Sequence, residues 1–175
     1  MMSIPMPLNF KKWIDDNRHL LKPPVGNREV YEDGEFIIMV VGGPNNRKDY
    51  HYNTTPEFFY QLEGDIIVKT MQDGKRVDYD IKEGDIFLLP SKVPHSPQRK
   101  ANTIGLVIEQ KRPATDLDAL EWYCENCDNQ IYRQEFQLKN IVTELPVLMG
   151  NFYANEDNRT CNQCGTIMEP PKPLV

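Results

Sequence analysis

The sequence predicts a mainly β fold, in which a small barrel of antiparallel strands follows one helix and precedes a metal-binding knuckle. Three observations support this prediction. Short runs rich in Val, Ile, Phe and Tyr extend from Val30 to about Glu109 and alternate with glycine-containing turn signals. His51 and Glu57 precede one of these runs, and a second histidine, His95, follows another. All four cysteines lie beyond Pro113, in two C-x2-C pairs.

The first predicted element is an amphipathic helix over residues 9–21. Asn9 is a candidate N-cap, and the Lys22-Pro23-Pro24 sequence is a stop signal. His19 lies on this helix, and we interpret it as a surface or packing histidine because no other ligand type is near it. The apolar residues at roughly helical intervals are Phe10, Trp13, Ile14, Leu20 and Leu21.

The β region follows, with turn signals at residues 33–34, 42–44, 63–65, 73–74 and 83–85. Residues 62–67 (LEGDII) and 82–87 (KEGDIF) are near repeats, and we expect the same hairpin at both places. Residues 90–94 should form a loop that brings His95 to the mouth of the barrel. The composition changes after Pro113. We therefore expect residues 1–112 to form the helix and catalytic barrel, and residues 113–175 an extension packed on it.

Composition limits the function classes. The 175 residues suffice for one main domain with a substantial core. The formal net charge is −6, and the basic residues are scattered, so we expect no nucleic-acid partner. The longest apolar run, residues 36–41, is far too short to cross a membrane. The N-terminus lacks the pattern of a secretory signal, so we expect a cytoplasmic protein with no membrane partner.

Two histidines and one glutamate form a candidate metal site. His51 and Glu57 are six residues apart before a strand-like run, and His95 follows the loop at residues 90–94. Two imidazoles and one carboxylate are the facial triad that holds non-haem Fe(II) with open positions for substrate and dioxygen. The alternative is that each histidine is a hydrogen-bonded structural residue and Glu57 a surface charge.

The cysteines form a second candidate metal site, Cys124, Cys127, Cys161 and Cys164. Four thiolates in paired C-x2-C knuckles suit one tetrahedral ion, either zinc or iron. Disulfides are the weaker interpretation in a reducing compartment, and a redox pair would need a thioredoxin-like context. A site saturated with thiolates leaves no position for substrate, so a structural role is favoured over electron transfer.

The spacing of residues 51–64 (H-x-N-x3-E-x6-G) and 84–95 (G-x5-P-x4-H) resembles the two motifs of the cupin superfamily. The resemblance implies a double-stranded β-helix, or jelly-roll barrel, with metal ligands on neighbouring strands. Asn53 stands where the first motif has a second histidine, and Lys92 stands where the second motif has a glycine. We therefore expect three protein ligands and no metal role for Asn53, because amides are poor ligands for iron.

Longer strings of the sequence lie at residues 21–27, 41–51, 57–62, 83–90, 95–99 and 107–113. Together, over the region from about Asn9 to Cys164, they resemble the 3-hydroxyanthranilate 3,4-dioxygenase family in its bacterial and fungal form, which carries the cysteine pairs. The resemblance implies Fe(II)-dependent ring opening of 3-hydroxyanthranilate by dioxygen to 2-amino-3-carboxymuconate semialdehyde. This product is the precursor of quinolinate, and so of NAD, in the tryptophan–kynurenine pathway. A homodimer and a rubredoxin-like knuckle with a second iron or zinc are also implied.

The resemblance also suggests roles for residues near the ligands. Arg99 should bind the substrate carboxylate through a two-donor fork, and Arg47 the same anion or dioxygen. Glu109 should bind the amino group or take a proton during ring opening. Asp49 is a further catalytic candidate and Asn27 a substrate contact. The substrate-binding candidates are thus Arg99, Glu109, Arg47, Glu57 and Asn27.

Two other functions remain open from the sequence. One is a different cupin enzyme, such as a sugar epimerase, and the Arg47, Arg99 and Glu109 set is the feature that argues against it. The other is a non-catalytic small-molecule sensor whose cysteine knuckle docks a partner. Acidic residues near the cysteines, Glu121 and Glu125 among them, argue against a nucleic-acid partner for such a sensor.

Overall fold

The protein is built on two antiparallel sheets. The computed structural model describes residues 4–23, 26–31, 34–138 and 141–174, and for residues 141–143 it describes the backbone alone. The strands are β1 Asn27–Tyr31, β2 Phe36–Gly42, β3 Tyr50–Tyr52, β4 Glu57–Glu63, β5 Ile66–Gln72, β6 Lys75–Ile81, β7 Ile86–Leu89, β8 His95–Arg99, β9 Ile104–Gln110, β10 Asp118–Tyr123 and β11 Gln130–Phe136. The strand order is β1-β2-β9-β4-β7 in one sheet and β11-β10-β3-β8-β5-β6 in the other. The helices are α1 Phe10–Asn17, a 3-10 turn Arg18–Leu20, α2 Ile141–Ala154 and α3 Glu156–Arg159.

The main core lies between the two sheets. Ile37, Phe59 and Val107 of the five-stranded sheet pack in one buried cluster with Val68 and Ile81 of the six-stranded sheet. Successive residues of a strand point to opposite faces, so alternate positions of each strand enter this core. The mainly β barrel that the sequence predicts is confirmed.

Helix α1 begins where the sequence predicts. The Asn9 side chain accepts a hydrogen bond from the Lys12 backbone N–H at 2.9 Å, which satisfies one free donor of the first turn. The α-helix ends at Asn17, earlier than predicted, and continues as the 3-10 turn that carries the exposed His19. Leu21 then lies against β2 so closely that a Cβ on Gly42 would overlap its carbonyl oxygen. Pro24 of the predicted stop and Asp33 of the first predicted turn lie outside the described residues.

The expectation of two equivalent hairpins at the repeats is wrong. Strand β4 belongs to the five-stranded sheet and β5 to the six-stranded sheet, and the connection from β6 to β7 crosses back. Each repeat is therefore a corner between sheets. The corners contact each other, because the Gly64 N–H donates to Glu83 Oε2 at 2.7 Å and the Glu83 N–H donates to Asp65 Oδ1 at 2.9 Å. A true hairpin occurs at Asp73 and Gly74, where both residues have positive φ.

The segment after Pro113 extends the barrel. Strand β10 pairs with β3, so that Leu120 lies opposite His51, and β11 pairs with the other edge of β10. Trp122 of β10 stacks on Phe152 of α2 with ring centroids 4.1 Å apart, and both side chains are buried. The boundary at residues 112 and 113 stays a prediction. In the described residues, no helix is both long and apolar enough to cross a membrane.

Candidate metal and substrate site

The three predicted ligands meet inside the barrel. His51 on β3 and His95 at the start of β8 are paired across the six-stranded sheet, and Glu57 begins β4 of the opposite sheet. Glu57 Oε1 lies 3.1 Å from His95 Nε2 and 3.8 Å from His51 Nδ1. The three ligand atoms lie within 4.8 Å of one another, and all three side chains are buried. This spacing fits one metal ion.

Each histidine uses one ring nitrogen for a structural hydrogen bond. His95 Nδ1 lies 2.9 Å from the carbonyl oxygen of Val93, to which it donates. His51 Nε2 lies 2.7 Å from Asp118 Oδ2, and an ionised carboxylate accepts there. In the neutral rings, these bonds leave the other nitrogen, which faces Glu57, unprotonated. A metal ligand needs this state, and such hydrogen bonds fix the tautomer and the ring orientation.

The charges of the site favour an ionised Glu57. Burial opposes ionisation, but His95 and His51 outweigh it and lower the pKa of Glu57 to about 2. Burial lowers the pKa of His51. For His95, burial also acts to lower the pKa, yet Glu57 outweighs it and raises the value. Two imidazoles and a carboxylate suit Fe(II) and other divalent transition metals.

Glu109, predicted to face the substrate, lies beside the ligands. It is the cross-strand partner of Glu57 on β9, and its Oε2 is 2.6 Å from Arg112 Nη1. The Asn53 amide donates to Glu57 at 2.7 Å and to Glu109 at 3.3 Å, so Asn53 holds the ligand carboxylate. Burial and the charge of Glu57 raise the pKa of Glu109 to about 8. Its Oε1 is buried without a hydrogen-bond partner among the described residues.

The two predicted arginines differ in their partners. Arg99 is buried, and its Nη1 lies 3.4 Å from Gln61 Oε1, while no described carboxylate forms an ion pair with it. Burial and the nearby charge of Arg47 lower the pKa of Arg99 to about 10. Arg47 instead pairs with the buried Asp49 through two hydrogen bonds. The charges of Arg47 and Glu57 favour each other, and the charge of Arg47 acts to lower the pKa of His95.

Asn27, Arg47 and Asp49 line a cavity of about 480 Å³ together with residues of α2 and the C-terminal segment, including Tyr153 and Leu174. Asn27 Oδ1 is buried and has no hydrogen-bond partner among the described residues. The three ligands and Arg99 are not among the lining residues of this cavity. The predicted substrate residues thus fall into two sets, one at the cavity and one inside the barrel.

The sequence did not indicate Arg112 and Asp118. Arg112 lies within one of the strings that resemble the family, but nothing local assigns it a role. Asp118 begins the apolar run of β10, and an acidic residue at such a position is the one local signal of a buried carboxylate. Its contact with His51 spans 67 residues of sequence.

The cysteines also meet as predicted. Cys124 and Cys164 Sγ atoms are 3.5 Å apart, and those of Cys127 and Cys161 are 3.6 Å apart. Four thiolates about 2.3 Å from a tetrahedral ion would be roughly 3.8 Å apart, so the spacing fits zinc or iron. The two knuckles match, since the backbone N–H after each second cysteine donates to the carbonyl oxygen of the first, from Asp128 and from Gly165.

Two antiparallel sheets that hold two histidines and a glutamate between them define a metal-binding protein of the cupin class. Residues 1–153 match the family model of 3-hydroxyanthranilic acid dioxygenase, and the chain belongs to that family. A cupin-2 domain-containing protein from Shewanella frigidimarina is similar in structure, with a TM-score of 0.47 and 20% identity over 59% of this chain and 94% of that chain.

Curated relatives match over nearly the whole chain. A 3-hydroxyanthranilate 3,4-dioxygenase from Paraburkholderia phytofirmans is 54% identical over 95% of this chain and 97% of the relative. A protein of the same name from Xanthomonas euvesicatoria pv. vesicatoria is 52% identical over 98% and 96%. A third, from Jannaschia sp., is 54% identical over 95% of each. The resemblance that the sequence motifs indicate is confirmed.

Proposed function

We propose that the protein is an Fe(II)-dependent dioxygenase that opens the ring of 3-hydroxyanthranilate with dioxygen to form 2-amino-3-carboxymuconate semialdehyde. The product places it in quinolinate and NAD precursor synthesis. Family membership and relatives of this name at more than half identity support the reaction. The observation that carries the substrate is Arg99, a buried guanidinium without a carboxylate partner among the described residues, on the same strand as the ligand His95.

His51, Glu57 and His95 would hold the iron, which supplies a common binding point for the substrate's hydroxyl and amino groups and for dioxygen. Other residues of the chain hold these three side chains in the orientation that metal binding needs. Val93 and Asp118 hold the imidazole tautomers, and Asn53 holds the Glu57 carboxylate. Preorganised ligands reduce the reorganisation that binding requires.

Arg99 is the binding partner that we assign to the substrate carboxylate. A buried cation beside a second cation is costly, and a carboxylate between Arg99 and Arg47 would offset that cost. Arginine binds such a group through two parallel hydrogen bonds. Arg47 is already neutralised by Asp49, so we assign it a supporting role in positioning the anion or dioxygen.

Glu109 is the group that we assign to proton exchange. With a pKa of about 8, the Glu109 carboxyl group can hold a proton near neutral pH. It can release that proton when a hydrogen-bond donor comes close. The unpartnered Oε1 is available for the substrate amino group, while Arg112 and Asn53 hold Oε2. Asn27 Oδ1 is a second acceptor without a partner, and we assign it a substrate contact at the cavity.

Reconstitution tests this proposal. The protein is loaded with Fe(II) without air and mixed with 3-hydroxyanthranilate, and oxygen uptake is recorded with the ultraviolet absorbance of the product. We expect one oxygen per product and loss of both signals in His51→Ala. Arg99→Met should raise KM about 10- to 100-fold, the value of a charge-assisted hydrogen bond. Arg18→Met, at a half-exposed arginine paired with Glu63, is the matched control.

Other outcomes point to the two alternatives. Iron binding without turnover of 3-hydroxyanthranilate, but with turnover of another aromatic or a sugar nucleotide, would indicate a different cupin enzyme. Iron and ligand binding with no turnover at all would indicate a sensor. Normal turnover by Arg99→Met would contradict the assignment of the substrate carboxylate.

The assembly and location are also proposals. The outer face of the five-stranded sheet exposes Phe36, Tyr60, Ile86 and Leu88, at 50%, 37%, 67% and 65% of their full area. An apolar sheet face of this kind is usually covered, and we propose a second copy of the chain as its cover, in a cytoplasmic homodimer. Sedimentation of Leu88→Lys against the unaltered protein tests it, since the variant should sediment as a monomer.

A further inference from the structure

Arg112 joins the metal-ligand side of the site to Glu109 by a second route, distinct from the Asn53 amide that joins Glu57 to Glu109. Its side chain follows β9 and is buried. Its Nη1 is 2.6 Å from Glu109 Oε2, and its Nε donates to Asp118 Oδ1 at 3.0 Å. The other oxygen of Asp118, Oδ2, accepts from His51 Nε2 at 2.7 Å. A continuous chain of four side chains thus runs from the metal-ligand side to the proposed substrate side.

The geometry of Asp118 makes this chain rigid. Each of its two oxygens has a different partner, so the carboxylate cannot rotate about its own bond without losing one of them. A buried carboxylate also needs a cation close by, because an unpaired buried charge costs several kcal/mol. Arg112 supplies that cation. The orientation of the His51 ring therefore depends on where Arg112 lies.

Arg112 is equally constrained by its shape. The guanidinium donates a hydrogen bond to Asp118 through Nε and forms an ion pair with Glu109 through Nη1 at the same time. A lysine ammonium is a single point charge on a flexible stem and cannot hold two carboxylates in this fixed geometry. A change at Arg112 should therefore be felt by both His51 and Glu109.

We propose that Asp118 and Arg112 are positioning residues. Asp118 orients His51 for metal binding, and Arg112 aligns Asp118 and Glu109 together, so that one guanidinium positions both the metal site and Glu109, the acceptor that we assign to the substrate amino group. The role of Arg112 toward substrate rests on the proposed function, whereas the role of Asp118 toward the metal does not. The competing explanation is a buried ion pair that only stabilises the fold.

Metal affinity separates the two explanations for Asp118. Co(II) is titrated into the metal-free protein, and the visible absorption of the histidine and carboxylate site is recorded beside the sulfur-to-cobalt band of the cysteine site. We expect Asp118→Asn to weaken Co(II) binding at the histidine site about 10- to 100-fold. The cysteine site should keep its affinity and serves as an internal control for folding.

Asp116→Asn is the matched control, because Asp116 lies two residues away and accepts from Thr54 without contacting His51. It should bind Co(II) as the unaltered protein does. Equal affinity of Asp118→Asn and Asp116→Asn at the histidine site would overturn the proposal, whatever the change in melting temperature. Asp118→Glu, which keeps the charge but shifts both oxygens, should recover only part of the affinity.

Steady-state kinetics at saturating iron test Arg112. Asp118→Asn should then recover a KM close to that of the unaltered protein, because added iron compensates the weakened site. Arg112→Lys should show both defects, a weaker Co(II) site and a KM raised at least threefold. An Arg112→Lys protein with only a lower melting temperature would overturn the role of Arg112.

A double-mutant cycle covers the case in which Arg112→Lys does not fold. Asp118→Asn and Glu109→Gln are combined, and Co(II) affinity is measured for each single variant and the pair. Coupling through Arg112 predicts non-additive effects, and additive effects would overturn it. None of these titrations uses 3-hydroxyanthranilate. Failure of the unaltered enzyme to turn over that substrate would therefore count against the proposed function alone.

Discussion

Glu57 and Glu109 lie opposite each other on neighbouring strands, and the amide of Asn53 donates to both carboxylates, at 2.7 and 3.3 Å. Their surroundings shift the pKa values of the two acids in opposite directions. The histidines lower the pKa of Glu57 to about 2, whereas burial and Glu57 itself raise that of Glu109 to about 8. Paired acids whose pKa values are pushed apart can divide a reaction between them. This difference agrees with the roles that we propose, metal binding for Glu57 and proton exchange for Glu109.

Replacing Asn53 tests this arrangement. Asn53→Ala removes the donor that holds Glu57 Oε1, so the carboxylate should lose its fixed orientation. We expect metal affinity at the histidine site to fall about tenfold, because this is the usual effect of losing a residue that is hydrogen-bonded to a metal ligand. Co(II) titration measures it. Asn17→Ala, at a remote helix end, is the control, and unchanged affinity in folded Asn53→Ala would contradict the role.

Gly105 is the position where Arg99 has the least room. A Cβ at this residue would lie 2.9 Å from Arg99 Nη1 and 2.7 Å from Gln61 Oε1. We expect Gly105→Ala to displace the guanidinium and raise KM for the aromatic substrate about tenfold or more, with a smaller effect on kcat. Steady-state kinetics at saturating iron measure both.

The control for that prediction is Gly150→Ala. Gly150 lies within α2, and nothing comes within 4 Å of an added Cβ. Alanine there should stabilise the protein by about 0.5–1 kcal/mol and leave KM unchanged. If both alanine variants changed KM equally, displacement of Arg99 would not be the cause.

Trp122 should be among the most sensitive positions for stability. It is fully buried and stacks on Phe152, and this contact holds β10 against α2. Trp122→Ala should lower the free energy of unfolding by about 3–5 kcal/mol, because the cavity can refill only in part. Urea unfolding followed by circular dichroism measures it. Trp13→Ala, at a half-buried residue of α1, should cost clearly less.

The ion pair between Arg18 and Glu63 predicts a pH dependence of stability. Arg18 lowers the pKa of the Glu63 carboxyl below its ordinary 4.5. A depressed pKa contributes stability above about pH 4.5, and this contribution is lost as the pH falls through the folded-state value. Because the pair is largely exposed, we expect Glu63→Gln to cost only about 0.5 kcal/mol at pH 7. The difference between the two proteins should shrink by pH 4, and a constant difference would contradict it.

The cysteine site should bind metal independently of the histidine site. Cys124→Ala removes a buried ligand, so metal content should fall by one ion per chain while Co(II) still binds at the histidine site. The melting temperature should fall as well, since structural thiolate sites contribute directly to folding. Elemental analysis and thermal unfolding measure the two effects. Loss of both ions together would show that the sites are coupled.

Local spacing made the metal ligands predictable, because His51 and Glu57, the loop before His95 and the paired cysteines are each defined over a few residues. Strand partners are not local. The sequences at Gly64 and Gly84 have the turn signal that is typical of a hairpin. The chain crosses between the sheets there because β5 and β7 each pair with strands of the other sheet from the strand that precedes them.

Asp118 shows the same limit. Its importance comes from β10 pairing with β3, a contact between distant segments that no motif around Asp118 indicates. The roles of Arg47, Asp49, Arg99, Glu109 and Asn27 remain proposals, although their burial and partners agree with the chemistry that we assign to them.

The separation of 67 positions in the sequence from His51 to Asp118 has a consequence for biosynthesis. A ribosome makes all three predicted iron ligands before it makes the carboxylate that orients the first of them. Until Asp118 has emerged and β10 has paired with β3, the nascent barrel has an open edge and an incompletely held ligand. From the proposed role of Asp118, we therefore expect correct metal loading to follow the synthesis of β10 instead of accompanying the synthesis of the ligands.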